Sequence, residues 1–286
     1  MNSVAHIINP FKASFDSDLY RVQPISFESI LRAKAHANSF MKIELLSAQF
    51  EEDAEFVPLN FKKTTHLSRS VLDVHPFNSK HKLPFIADIL ERLYHESDAE
   101  YLIYTNVDIG LYENFYLKVN QFINSGLDAF IINRRRLPNI YTEVNQLHQI
   151  YADKGKPHPG FDCFVFHRKL YPKFLLEGIC IGVPFFEISF SQNLFAFSRN
   201  FKLFEHEYLT FHIGEEIFRK RMPSEYYQYN KAQFWKICGH LFPYMHLYSI
   251  PYSNMIFPVR VVKWIIHPCF PIRLMLKLEL KRLKLL

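Results

Sequence analysis

Short apolar runs alternate with helix-period segments over the first two thirds of the chain, and that alternation leaves few folds open. Residues 4–8, 42–47, 101–105, 129–133 and 161–165 read as strands, with a last short one at 208–212. Between them, residues 26–36, 83–94, 114–123 and 188–197 carry apolar side chains at helical spacing. In the second of these, Phe85, Ile86, Ile89, Leu90 and Leu93 form one stripe. Strands that alternate with helices predict an α/β domain with a parallel-dominated sheet. A run as apolar as 101–105 is the pattern of a strand covered on both faces.

Composition then removes whole classes of function. With 286 residues and 49% hydrophobic content, the chain can bury a substantial core, and a disordered or coiled-coil protein is excluded. Only 8 glycines are present, and neither G-x-G-x-x-G nor G-x-x-x-x-G-K occurs, so a dinucleotide fingerprint and a P-loop are both ruled out. The net charge of +6 is uneven. Of the 34 Lys and Arg, seven lie in residues 259–286 (Arg260, Lys263, Arg273, Lys277, Lys281, Arg282 and Lys284), beside one of the 28 acids, Glu279. The first 258 residues therefore hold 27 of each sign, and a body that is neutral by count does not fit a nucleic-acid binder. Cys163, Cys180, Cys238 and Cys269 are too scattered for a C-x-x-C zinc site or a disulfide framework, so reduced thiols in the cytoplasm are expected.

No basic and apolar leader pattern opens the chain, and no apolar stretch of 18 or more residues occurs, so neither a signal peptide nor a membrane span is expected. The expected division is a catalytic-type domain over residues 1–250 and a tail over 251–286. In the tail, Arg273, Lys277, Lys281 and Lys284 recur at helical spacing beside a stripe of Leu276, Leu280 and Leu283. That is the pattern of a basic amphipathic helix lying in a membrane surface. It predicts a peripheral attachment to anionic lipid, on the inner face of the cytoplasmic membrane.

The sharpest local feature is the run of strand 101–105 into Asn106 and, two residues on, Asp108. In an extended backbone, positions i and i+2 share a side, so both oxygen-bearing groups can face one point at the strand end. A hard divalent cation on a diphosphate wants such a pair, with its remaining ligands from phosphate and water. Asn, Asp and Gly110 also favour an ordinary turn.

Residues 105–110 (TNVDIG) resemble the D-x-D nucleotide-sugar motif of GT-A-type glycosyltransferases. Residues 69–74 (RSVLDV), 104–108 (YTNVD), 158–166 (HPGFDCFVF) and 209–215 (LTFHIGE) are similar, in a compatible order, to a bacterial group of glycosyltransferase-like proteins. The resemblance spans roughly residues 1–220. It implies a GT-A-like (Rossmann-like) mixed sheet flanked by helices, a nucleotide-sugar donor and a divalent cation, Mn²⁺ or Mg²⁺. Position 106 departs from the motif, with Asn in place of the first Asp.

On that resemblance, Asp108, Asn106 and His212 are the expected metal ligands. Asn9, Arg69, Asp73, Asn106, Asp108 and Arg134 are the expected nucleotide-sugar contacts. Asp162, after Gly160, and its rival Glu187 are the candidates for the base that takes the proton of an attacking hydroxyl. Arg134, Arg135 and Arg136 are expected to follow the strand 129–133 at the cleft edge, where a guanidinium suits phosphate oxygens. His206-Glu207 does not make a zinc-protease helix, because position 210 is Thr and not His. The expected activity is glycosyl transfer to a glycan or lipid-linked glycan of the cell surface. A non-catalytic assembly protein with the same fold and a metal-dependent nucleotidyltransferase are the alternatives.

Overall fold

The structure, a computed structural model, describes residues 1–176, 178–214, 223–245, 250–252, 254–267 and 280. At its centre lies β4 (Tyr101–Thr105), every residue of which is buried. Leu102 and Tyr104 face one core and Tyr101 and Ile103 the other, as the period of two requires. On one side β4 pairs in parallel with β1 (Ser3–Ile8), which pairs with β2 (Lys42–Ser47) and through it with β3 (Lys62–Lys63). On the other side β7 (Lys156–His167) runs antiparallel to both β4 and β6 (Ala129–Leu137). β8 (Phe201–Phe204) and β9 (Thr210–Ile213) pair in parallel with β6, and β5 (Ile109–Leu111) runs antiparallel to β9. The sheet is thus mixed. Its β3-β2-β1-β4 half is wholly parallel, and β7 supplies the reversal that the helix–strand alternation did not reveal.

Helices cover both faces. Those on the first core are α2 (Ile86–Glu96), α5 (Phe186–Phe197) and α6 (Ser224–Leu241), and the stripe Ile86, Ile89, Leu90 and Leu93 is fully buried. On the second lie α1 (Asp18–Ala37) and α3 (Phe115–Asn124). A short α4 (Leu147–Ala152) joins a smaller cluster with Tyr112 and Phe211. α1 begins eight residues before the expected start at residue 26. Ser17 is its cap, accepting from the Leu19 N–H at 3.3 Å, and the helix continues through Pro24. Ser26 is not a cap but a buried mid-helix residue.

A neutral polar knot fixes the middle of the sheet. His6 on β1 is fully buried, with Nδ1 2.7 Å from the Tyr116 hydroxyl and Nε2 2.9 Å from the Thr105 hydroxyl. Burial lowers its pKa to about 3, so the ring is uncharged at neutral pH.

The final described helix, α7 (Phe257–Ile266), docks through Trp264, whose indole N–H donates to the Pro251 carbonyl at 2.8 Å. Its other side exposes Phe257, Val262 and Ile266. The leucine and lysine stripes expected from residue 272 onward lie outside the described residues, Leu280 excepted. Among the described residues no helix is long and apolar enough to cross a membrane. Cys163, Cys180 and Cys238 are free thiols.

Candidate functional site

Strand pairing, not an extended i, i+2 backbone, builds the strand-end site. After Thr105 the chain turns, with the Ile109 N–H bonded to the Asn106 carbonyl at 3.1 Å, and enters β5. Ile109 then lies opposite His212 in the β5–β9 ladder. That register sets Asp108 beside His212, with Oδ2 3.1 Å from Nε2. Gly110 is the residue that permits it, since a Cβ there would collide with the Phe211 ring at 2.1 Å. Burial alone would push the Asp108 carboxyl up. The charge and hydrogen bond of His212, aided by Arg134, more than offset this and hold it below the usual carboxylate range.

A bulge brings the second pair into the same space. Between Ile132↔Cys163 and Asn133↔Phe161 the β6–β7 ladder skips Asp162, and between Asn133 and Arg135 it skips Arg134. A bulge re-aims a side chain that regular pleating would send into the core. Arg134 Nη1 and Asp162 Oδ1 form an ion pair with side chains only 3% and 2% exposed. The other Asp162 oxygen, Oδ2, is buried and has no hydrogen-bond partner among the described residues. The Arg run therefore lies inside β6, not after it. Arg135 donates to the Lys154 and Gly155 carbonyls and stacks over Tyr208, and Arg136 faces solvent.

Glu187 enters from α5. Phe185, just before that helix, has a left-handed backbone (φ +84°), a conformation that costs a non-glycine residue about 1–3 kcal/mol. Its buried ring, against Tyr227 and Phe234, holds it there and aims the first turn at the cleft. Tyr104 lies beneath these groups and donates to Asn106 Oδ1 at 3.0 Å. Burial first, then the charges of Glu187, Asp108 and Asp162, push its pKa far above the usual tyrosine range.

Tyr104, Asn106, Asp108, Arg134, Asp162, Glu187 and His212 line one cleft of about 610 Å³ at the carboxyl ends of β1, β2 and β4, where open α/β sheets take their ligands. Asn9 is there as expected, its Nδ2 bonded to the Ala48 carbonyl at 2.6 Å. Sequence reasoning missed the far wall. Phe50 lies under the Lys82 ammonium, 4.1 Å from the ring centroid. Asp53 accepts the Lys12 N–H at 2.8 Å, and burial raises its pKa despite that bond. Both follow β2 at its carboxyl end, so the position of that strand end was the signal that could have found them.

Arg69 and Asp73 are not brought to the cleft lining. Arg69 makes a bidentate pair with Asp88 on α2, at 2.9 and 2.7 Å. Asp73 accepts the Ser70 N–H in a local capping box, at 2.6 Å.

Asp108 and His212 are the two side chains that could hold a divalent cation here. A cation about 2.1 Å from each ligand leaves adjacent ligands roughly 3 Å apart, which matches Asp108 Oδ2 and His212 Nε2. In the resting protein Nε2 carries the proton that Asp108 accepts, so ligation through Nε2 would need that proton to leave or to move to Nδ1, which is buried without a hydrogen-bond partner among the described residues. Asn106 Oδ1 accepts from Tyr104 with one of its two lone pairs, and no group of three His, Cys, Asp or Glu side chains gathers among the described residues. Phosphate and water would have to complete the sphere.

No family model matches the chain, and no curated protein matches it. Among solved structures it is similar to S. aureus TarS residues 1–349 in complex with UDP-GlcNAc, with 7% identity and a TM-score of 0.49 over 93% of this chain and 79% of that one. The same fragment in complex with UDP gives 9% identity and a TM-score of 0.48, over 93% and 78%.

Proposed function

We propose that the chain is a glycosyltransferase, moving a sugar from a nucleotide-sugar donor to a glycan or lipid-linked glycan of surface polysaccharide or lipopolysaccharide synthesis. The observation that carries this reading is the buried Asp162 Oδ2, without a partner among the described residues, in a cleft that also holds Asp108, His212, Glu187 and Arg134. A buried polar atom without a partner asks for a ligand to supply one. An acceptor hydroxyl donating to Oδ2 answers that need and delivers its proton to the base. Arg134 fixes the carboxylate through Oδ1, which leaves Oδ2 to accept from the acceptor hydroxyl.

Asp108 and His212 would hold the divalent cation. When bound, it supplies Lewis-acid neutralisation of the departing diphosphate. Asn9, Phe50 and Asp53 line the end of the cleft where the nucleoside would lie. The exposed apolar face of α7 and the basic count of residues 259–286 support work at an anionic membrane surface.

Release of nucleotide from a panel of nucleotide sugars tests the reading, with UDP-GlcNAc, the ligand of one TarS structure, as the first probe. Asp162→Ala is expected to lower turnover by roughly 10²–10⁴-fold with donor binding retained. A dead Glu187→Ala beside an active Asp162→Ala would reverse the two roles. Two active variants would remove both as the base, and no turnover of any donor by the wild type would favour the non-catalytic alternative.

A further inference from the structure

Asn106 is where the cleft departs from a pair of strand-end carboxylates. Its Oδ1 accepts from the Tyr104 hydroxyl at 3.0 Å. Tyr104 is fully buried, and its ring is held by Phe164, Phe186 and Phe190, with centroids 6.4, 5.8 and 6.3 Å away. A carboxamide carries its acceptor oxygen and its two N–H donors on opposite branches. With the oxygen turned to Tyr104, Nδ2 is left to the cleft that Asn106 lines. An aspartate at this position would present a second anionic oxygen there instead.

We propose that the Tyr104 hydroxyl positions the Asn106 carboxamide so that its Nδ2–H group donates a hydrogen bond to the diphosphate of the donor nucleotide. The inference rests on the nucleotide-sugar reading above and specifies how the diphosphate is held. Asn106 then contacts the ligand and Tyr104 acts through it as a positioning residue. The bond needs no cation, so part of the diphosphate affinity survives when divalent ions are removed. It also accounts for Asn in place of Asp at this strand end, because a donor binds phosphate directly where a carboxylate must act through a metal.

Calorimetric titration of the full chain with UDP, GDP, ADP and dTDP, and with the matching nucleosides, tests this in EDTA and in Mn²⁺. For a diphosphate that binds the wild type, Asn106→Asp is expected to weaken affinity in EDTA by roughly 10–100-fold. Nucleoside affinity should not change, and Mn²⁺ should recover most of the loss. Tyr104→Phe should cost about threefold to tenfold, the scale of one lost hydrogen bond, and nothing further in an Asn106→Ala background. Thermal unfolding of each variant checks that it is folded, and Asn106→Ala alone carries the test if Tyr104→Phe is not. Wild-type affinity of Asn106→Asp or Asn106→Ala in EDTA overturns the proposal and leaves the nucleotide-sugar reading standing. So does an equal cost of Tyr104→Phe in the Asn106→Ala background. No binding of any diphosphate by the wild type overturns both.

Discussion

Arg69–Asp88 and Arg134–Asp162 are the same chemical pair set in two different places. The first joins a loop to α2 with side chains 51% and 11% exposed. The second sits in a β-bulge with side chains 3% and 2% exposed. Both arginines carry the charge a diphosphate wants, and both read as nucleotide contacts from sequence. What separates them is desolvation. A half-exposed pair gains little over water. A buried one repays its desolvation only if its geometry is good and its remaining polar atoms are satisfied, and in the second pair Asp162 Oδ2 has no partner among the described residues. A buried oxygen left without a donor is what a ligand can satisfy on binding.

The largest expected effect is on the buried pair. Arg134→Ala leaves a buried carboxylate uncompensated and should cost about 3–5 kcal/mol of folding stability, measured by denaturant unfolding. Adding Asp162→Ala should return a substantial part of that loss. A full additive cost in the double variant would show that the two side chains do not act as a pair.

The neutral knot on β1 offers a contrast with these charged pairs, and pH separates them. His6 has a folded pKa of about 3, below its unfolded value near 6.5. The unfolded chain therefore binds the extra proton between those values. Its contribution is whole above pH 6.5 and is lost as pH falls toward 3, by about 1.4 kcal/mol for each pH unit. Asp108 has the other shift of interest, a carboxyl pKa held below its ordinary value. Its contribution is whole above the ordinary carboxylate range and fades only as pH falls through and below it. Stability followed from pH 7 to pH 5 should therefore fall in the wild type and fall less steeply in His6→Gln. An unchanged slope in that variant would remove His6 as its source.

The smallest effect belongs to the exposed pair. Arg69→Ala should cost no more than about 1 kcal/mol and leave nucleotide binding unchanged. A loss of nucleotide affinity in this variant would break the distinction between the two arginines.

Much of the sheet was legible because local pattern sets it. The apolar run of β4 and the stripe of α2 declare their burial, and the end of β4 leads to Asn106 and Asp108. Long-range register was not legible. The pairing of Ile109 with His212, 103 residues on in the chain, joins Asp108 to its partner, and only the family resemblance had drawn them together. The bulge that turns Arg134 and Asp162 inward leaves no periodic signature, so the Arg run read as lying beyond its strand. Asp73 illustrates the opposite error. A motif-like RSVLDV contains a capping box, whose Ser and Asp satisfy each other locally.

Thermal unfolding with nucleoside diphosphates and nucleotide sugars, with and without Mn²⁺, tests the central claim most directly. A ligand that binds only the folded chain raises the melting temperature by mass action, by about 2.7 kcal/mol of stability at a hundredfold excess over Kd. The wild type and Arg69→Ala should both be stabilised by one diphosphate and its sugar, more so in Mn²⁺, and Asp108→Asn should lose the Mn²⁺-dependent part without losing its fold. No stabilisation of the wild type by any of these ligands, or the same Mn²⁺-dependent rise in Asp108→Asn, would contradict the assignment of this cleft.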